Sequence, residues 1–267
     1  MTPSLEAVAE PYSTILCDIW GVVHDGARLL PGAAERLLAW KRAGKRIILI
    51  TNAPRPASTV QHDLDRLGLP RAAYDAITSG GQAGIAALID PVRGVGFLGT
   101  ADDRADLVDH GVRIVGRDFT ELACTGLDEF RDDPADYGAE LAAWAGQGVL
   151  MHCLNPDRVV VHCGVREACA GALADIYEEF GGSVTWYGKP HRSIYRHALS
   201  LAGDPPLGEV LAIGDGLVTD MLGAARAGIA AIFVAGGTHA GETFPTDFAE
   251  RHDLGGWRPL MTVTDLA

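Results

Sequence analysis

Three apolar runs of this chain end in groups that could do chemistry. Asp18 closes "TILCD", Thr51 and Asn52 close "RIILITN", Asp215 closes "VLAIGD", and Asp220 follows in "GLVTD". Lys189 stands between Gly188 and Pro190 in "YGKPH". A carboxylate can attack phosphorus and form an aspartyl-phosphate. A hydroxyl with nearby backbone N–H groups can hold phosphoryl oxygens, and an ammonium can neutralise nucleophile and phosphate together. Asp18, Asp215 and Asp220 make an oxygen set suited to Mg2+, a hard cation that bridges to substrate phosphate. Singly, each group has an ordinary structural use. Thr51 and Asn52 can cap a helix, Lys189 can sit solvated in a turn, and Asp-Gly is a common turn dipeptide. Jointly, in this order and at strand ends, they describe a phosphoryl-transfer site.

Such a site needs elements that converge. The runs "TILCD", "RIILIT", "VLAIG" and "AAIFVAGG" are short, apolar and bounded by small or polar residues. They read as strands buried on both faces of a parallel sheet. Between them, "GAAERLLAWKRAG" and "PASTVQHDLDRLGL" carry apolar residues at helical spacing and stop at Gly44 and Gly68, and "TDMLGAARAG" follows the Asp215 strand. Strand alternating with helix predicts an α/β, doubly wound sheet, whose ligands bind beyond the carboxyl ends of its strands. Asp18, Thr51 and Asp215 all lie at such ends.

The spacing is uneven. Residues 80–186 carry an alternation of their own, which predicts an inserted α/β domain with hinges near Ser79–Gly81 and Ser183–Tyr187. Residues 1–79 and 187–267 then form the core domain. Within the insert, "GVGFLG" and "GVRIVG" read as strands, "VLMHCLN" and "RVVVHCG" as a hairpin, and "DPADYGAELAAWAGQG" and "REACAGALADIYEEFGG" as helices. Trp144, Tyr177, Phe180 and Trp186 read as core, and His152 and His162 as packing histidines near "LNPD". The tail "GTHAGETFPTDF" reads as a surface loop near the crevice, and "WRPLMTVTDL" as a final strand and turn.

The 267 residues carry 35 acids against 22 bases, a formal charge of −13. That surface repels a phosphate backbone, so no nucleic-acid partner is expected. No run approaches the ~20 apolar residues of a membrane span, so no membrane partner is expected either. "MTPSLEAVAEPYS" lacks a basic stretch followed by an apolar one, which points to a cytoplasmic protein. The five cysteines are odd in number and show no CxxC spacing, so neither a disulfide framework nor a zinc site is indicated.

The order Asp-x-x-Gly-Val, Thr-Asn, Gly-Lys-Pro, Gly-Asp-x-x-x-Thr-Asp resembles the haloacid dehalogenase superfamily of phosphohydrolases. The insertion after the Thr-Asn strand, with "LNPD" inside it, is similar to the NagD-like branch, subfamily IIA. The resemblance covers roughly residues 14–237. It implies a Rossmann-like core with an inserted cap, Asp18 as nucleophile and metal ligand, and a Mg2+ shell completed by the Trp20 carbonyl and Asp215, with Asp220 behind. It implies further that Thr51 and Lys189 hold the phosphoryl group beside Gly21 and Asn52, and that Asn155 and Asp157 lie on a cap loop facing the site. A small phosphorylated metabolite (a sugar phosphate, a nucleotide or a similar phosphomonoester) is the implied substrate, and a homodimer through the cap the implied assembly.

One position departs from the pattern. Phosphatases of the family carry Asp-x-Asp, the second Asp acting as general acid and then as base; here that residue is Trp20. An indole N–H only donates and does not titrate usefully, so general acid–base help worth ~10²–10⁴ in rate is missing from that seat. Three outcomes follow. The leaving group needs no proton; or another group serves, His24 and Asp25 being nearest; or turnover is weakened and the protein binds a phosphate ligand in a regulatory role. Halide displacement would not use the Asp215–Asp220 pair. Imine-forming phosphonate cleavage would need a cap lysine, and none lies between Lys45 and Lys189.

Overall fold

The structure is a computed structural model that describes residues 4–89, 94–162, 165–236 and 244–267. Its strands are β1 (Thr14–Asp18), β2 (Arg46–Thr51), β3 (Ala76–Ser79), β4 (Gly96–Leu98), β5 (Glu121–Cys124) and β6 (Leu150–Cys153). They continue with β7 (Val159–His162), β8 (Val165–Ala168), β9 (Ser183–Trp186), β10 (Val210–Gly214), β11 (Ala230–Val234) and β12 (Met261–Val263). By packing the chain divides into two compact units. The first takes the residues up to Thr51, Gln61–Thr78 and Lys189–Ala267; the second takes Asn52–Val60 and Ser79–Gly188. The segment Asn52–Val60, expected with the core, therefore packs with the second unit.

The main sheet has the order β12-β11-β10-β1-β2-β3. β1 runs parallel to both β2 and β10, with Asp18 opposite Ile50 and Cys17 opposite Ile213. The chain builds outward from β1 through β2 and β3, then returns to its other side through β10, β11 and β12. The order therefore reverses between β1 and β10, and such a switch point is where a doubly wound sheet binds ligands. All of Thr14–Asp18 and Val210–Gly214 is buried, as strands covered on both faces must be. The helix Ala33–Arg42 buries Ala33, Leu37 and Trp40 and gives way at Gly44, where φ is +83°.

The second unit is a parallel sheet, β4-β5-β6-β9, with β7 and β8 as a separate antiparallel pair. Its core gathers Leu122, Tyr137, Leu141, Met151, Leu173 and Tyr177. Trp144 and Trp186 pack against that core, but Phe180 is 48% exposed, against the expectation for it. Three strand assignments also change. "VLMHCLN" pairs in parallel with β5 and β9, so the hairpin is β7 with β8 rather than with "VLMHC". "GVRIVG" forms only the single bridge Val95–Ile114. "REACAG" begins as β8, and its helix starts at Ala170. Of the expected tail loop, residues 237–243 lie outside the described residues, while "MTV" is the edge strand β12 beside β11. Among the described residues no helix is long and apolar enough to cross a membrane.

Candidate active site

The carboxyl ends of β1, β2 and β10 belong to the first unit, and register brings them level. Past Asp18 the chain turns sharply: the Gly21 N–H donates to the His24 carbonyl at 2.8 Å and the Val23 N–H to the Ile19 carbonyl at 2.7 Å. Gly21 has φ +80°, and a Cβ there would lie 2.2 Å from Asp215 Oδ2. Only glycine allows this turn to come so close to Asp215.

Beyond β10, residues Leu217–Met221 form a π-turn, with the Met221 N–H donating to the Gly216 carbonyl at 3.0 Å. Single π-turns recur at functional sites. This one returns Asp220 towards its own strand. Asp220 Oδ2 accepts from the Gly216 N–H at 3.2 Å and from Thr219 Oγ1 at 3.3 Å. A Cβ on Gly214 would lie 2.2 Å from Asp220 Cγ, so this strand end also has room only for glycine.

Lys189 closes the arrangement. Its Nζ donates to Asp18 Oδ1 at 2.5 Å and to Asp220 Oδ1 at 2.9 Å. Asp18, Asp215 and Asp220 each offer a carboxylate oxygen, the three lying within 4.8 Å of one another, and all three residues are buried. Burial, and next the Asp220 carboxylate, push the Asp18 carboxyl well above the usual carboxylate range, while Lys189 pulls it down. Asp220 is likewise raised, by burial first. Burial works against the Lys189 charge, but the carboxylates of Asp18 and Asp220 outweigh it and hold the ammonium well above the usual lysine range. Three buried carboxylates, two of them bonded to one ammonium, form a hard-oxygen donor set with charge to spare, which suits a divalent cation such as Mg2+.

Thr51 and Asn52, at the end of β2, are both buried. Trp20 lays its indole against Gly26, where a Cβ would come within 2.5 Å of the ring, and meets His24 edge-on at 5.2 Å between centroids. His24 is buried, which lowers its pKa, and its Nδ1 accepts the Gly26 N–H at 2.9 Å. The buried Tyr195 was not singled out in the sequence; its hydroxyl donates to the Asp220 carbonyl at 3.3 Å, bracing the π-turn. Nothing in "RSIYRH" announces that contact, because it depends on where the helix Arg192–Leu201 packs.

The remaining candidates gather in the second unit. Asn52 Nδ2 donates to Asp157 Oδ1 at 2.8 Å, and the Asp157 N–H donates to Asn155 Oδ1 at 3.1 Å. Gly188, with φ +99°, passes so close that a Cβ would lie 2.8 Å from Asn52 Oδ1. The structure thus joins Asp18, Lys189, Asp215 and Asp220 in one cluster and Asn52, Asn155 and Asp157 in another.

Known proteins share this architecture. The family model of haloacid dehalogenase-like hydrolases matches residues 15–113, and a second, HAD-hydrolase-like model matches residues 186–254. A hydrolase of the haloacid dehalogenase-like family from Brucella suis 1330 is 31% identical with a TM-score of 0.85, over 100% of both chains. NagD from E. coli K-12 has the same fold at 23% identity and TM-score 0.72, covering 96% of this chain and 97% of its own. The glycerol phosphate phosphatase from Mycobacterium tuberculosis, solved with magnesium, matches at 24% identity and TM-score 0.73, over 97% of this chain and 76% of its own. No curated protein sequence matches the chain significantly. With the Brucella hydrolase aligned from end to end, the chain belongs to the haloacid dehalogenase-like hydrolase family.

Proposed function

We propose that this protein is a Mg2+-dependent phosphohydrolase of small phosphorylated metabolites, working through an aspartyl-phosphate on Asp18. The observation that carries the reading is Lys189, buried and bonded to both Asp18 and Asp220 at the switch point of the sheet. Asp18 attacks phosphorus, and Lys189 steadies the attacking carboxylate and the charge that grows on the phosphoryl oxygens. Thr51, at the neighbouring strand end, holds a phosphoryl oxygen through its hydroxyl. Mg2+, held by Asp18, the Trp20 carbonyl and Asp215, with Asp220 behind them, would supply charge neutralisation on the phosphoryl oxygens. Water then cleaves the phosphoaspartate. The M. tuberculosis phosphatase, solved with magnesium on this fold, supports the choice of reaction and metal.

His24 enters this scheme as a brace for the turn rather than as a proton donor. Its Nδ1 is engaged by backbone, and burial favours the neutral ring. Asn52 and Asn155 are linked through Asp157, which suits the three to fixing the chain where it leaves β2.

Phosphate release tests the reading, measured with and without Mg2+ on sugar phosphates, nucleotides and acyl phosphates. Release should require the metal and fall at least about 10³-fold in Asp18→Asn. Undiminished release by Asp18→Asn would overturn it. Phosphate binding without turnover on any substrate would favour a ligand-binding role, which Trp20 makes the natural rival.

A further inference from the structure

The helix Arg192–Leu201, in the first unit, carries a row of side chains that the phosphohydrolase reading does not use. Arg192, Tyr195, Arg196 and Leu199 recur at helical spacing and so share one side of it. With Leu207 and Ala227 they line a small hollow of about 110 Å³ that opens to solvent. Leu207 comes from the short turn Leu207–Glu209 before β10, and Ala227 ends the helix Leu222–Ala227 before β11. From this hollow the buried Tyr195 reaches inward to the π-turn, where its hydroxyl donates to the Asp220 carbonyl at 3.3 Å. The hollow therefore lies outside the carboxylate–lysine cluster, one aromatic ring away from it.

Its lining combines two chemistries. Arg192 and Arg196 are exposed and one helical turn apart, and among the described residues neither is paired with a carboxylate. Like charges at that spacing destabilise a helix. Glu209, on the turn that supplies Leu207, is engaged elsewhere: its Oε2 accepts from Ser13 Oγ at 2.9 Å. On a chain of formal charge −13, the two guanidiniums make a local positive site on an acidic surface. The other four lining residues are a tyrosine, two leucines and an alanine, and Leu207 is 43% exposed.

We propose that this hollow is a second anion site, which takes a small phosphate monoester bearing an apolar group. A guanidinium grips phosphate oxygens through two parallel N–H donors, and two guanidiniums match the double negative charge of a monoester. A lone carboxylate would answer only one of them. A bare phosphate would leave Leu199 and Leu207 in water, whereas an apolar group laid on them removes that surface from solvent. A closed cavity of ~150 Å³ takes a benzene. About 110 Å³ open on one side therefore suits a single ring or a short alkyl chain.

The test is isothermal titration of the full Mg2+-loaded chain with benzylphosphonate, which carries a ring and a dianion but no ester bond to cleave. Arg192→Ala/Arg196→Ala should bind one equivalent fewer than the parent. That difference holds whether or not the carboxylate–lysine cluster also takes the probe, so it stands apart from the phosphohydrolase reading. In the parent the equivalent should bind with a Kd of about 1 mM or lower. Leu207→Glu, which puts a carboxylate on the apolar wall, should lose the same equivalent. Inorganic phosphate and benzoate, as separate arms, should fill it at least about tenfold more weakly. Thermal unfolding checks that both variants fold, and either one alone decides if the other does not. Equal numbers of equivalents in parent and variants overturn the inference. So does inorganic phosphate or benzoate bound there as tightly as benzylphosphonate.

Discussion

At the scale of single residues, Lys189 ties together two of the three buried carboxylates, Asp18 and Asp220. Its ammonium faces Asp18 and Asp220 with almost no solvent to screen the charges. Removing one partner of a buried ion pair commonly costs about 3–5 kcal/mol, because the remaining charge keeps its desolvation penalty. Lys189→Met should therefore lower unfolding stability by about 3 kcal/mol or more, as measured by denaturant titration, and should also abolish turnover. A variant as stable as the parent would mean that Asp18 and Asp220 are not held as a charged pair by this lysine. The residue types of the cluster are visible in the sequence, since Asp18 and Asp215 end apolar runs and Lys189 and Asp220 stand in the short motifs "YGKPH" and "GLVTD". What Trp20 and His24 do is not. The wedge of indole on Gly26 and the bond from Gly26 to His24 depend on the shape of one turn, and no periodicity encodes that.

At the scale of elements, the core strands were legible because a strand covered on both faces must be continuously apolar. "TILCD" and "RIILIT" are β1 and β2 residue for residue. The second unit was harder to read because its strands span three or four residues, too few to show a period. β6 finds parallel partners in β5 and β9, far off in sequence, whereas adjacency in the chain suggested a hairpin with β7. "GVRIVG" alternates like a strand yet has one bridge, to Val95. The π-turn after β10 was also invisible, although it aims Asp220 at Lys189. It works only beside a glycine: Gly214→Ala would place a methyl 2.2 Å from Asp220 Cγ. Overpacking of this kind costs about 1–3 kcal/mol. Gly214→Ala should lose that much stability in thermal or denaturant unfolding, and its kcat should fall at least about tenfold as Asp220 shifts away from Lys189. Full activity in that variant would show that the position of Asp220 is not critical.

At the scale of the whole molecule, one chain builds two sheets with different duties. The first carries the complete carboxylate–lysine cluster at its switch point, and the second is built around the insertion that follows β3. A second run of strand–helix alternation is visible in residues 80–186 of the sequence. The transfer of Asn52–Val60 to the second unit is not, because it reflects packing made only after folding. A formal charge of −13 repels phosphate substrates at long range, so attraction has to come from the site itself, from Lys189 and the cation that its carboxylates suit. The central claim is that turnover passes through phosphorus bonded to Asp18. Its most direct measurement is to quench the Mg2+-loaded protein in acid during turnover and weigh the peptide that contains Asp18. One added phosphoryl group is expected on Asp18, absent from Asp18→Asn. Rapid turnover with no phosphoryl group on Asp18, or with that group on another residue, would contradict it.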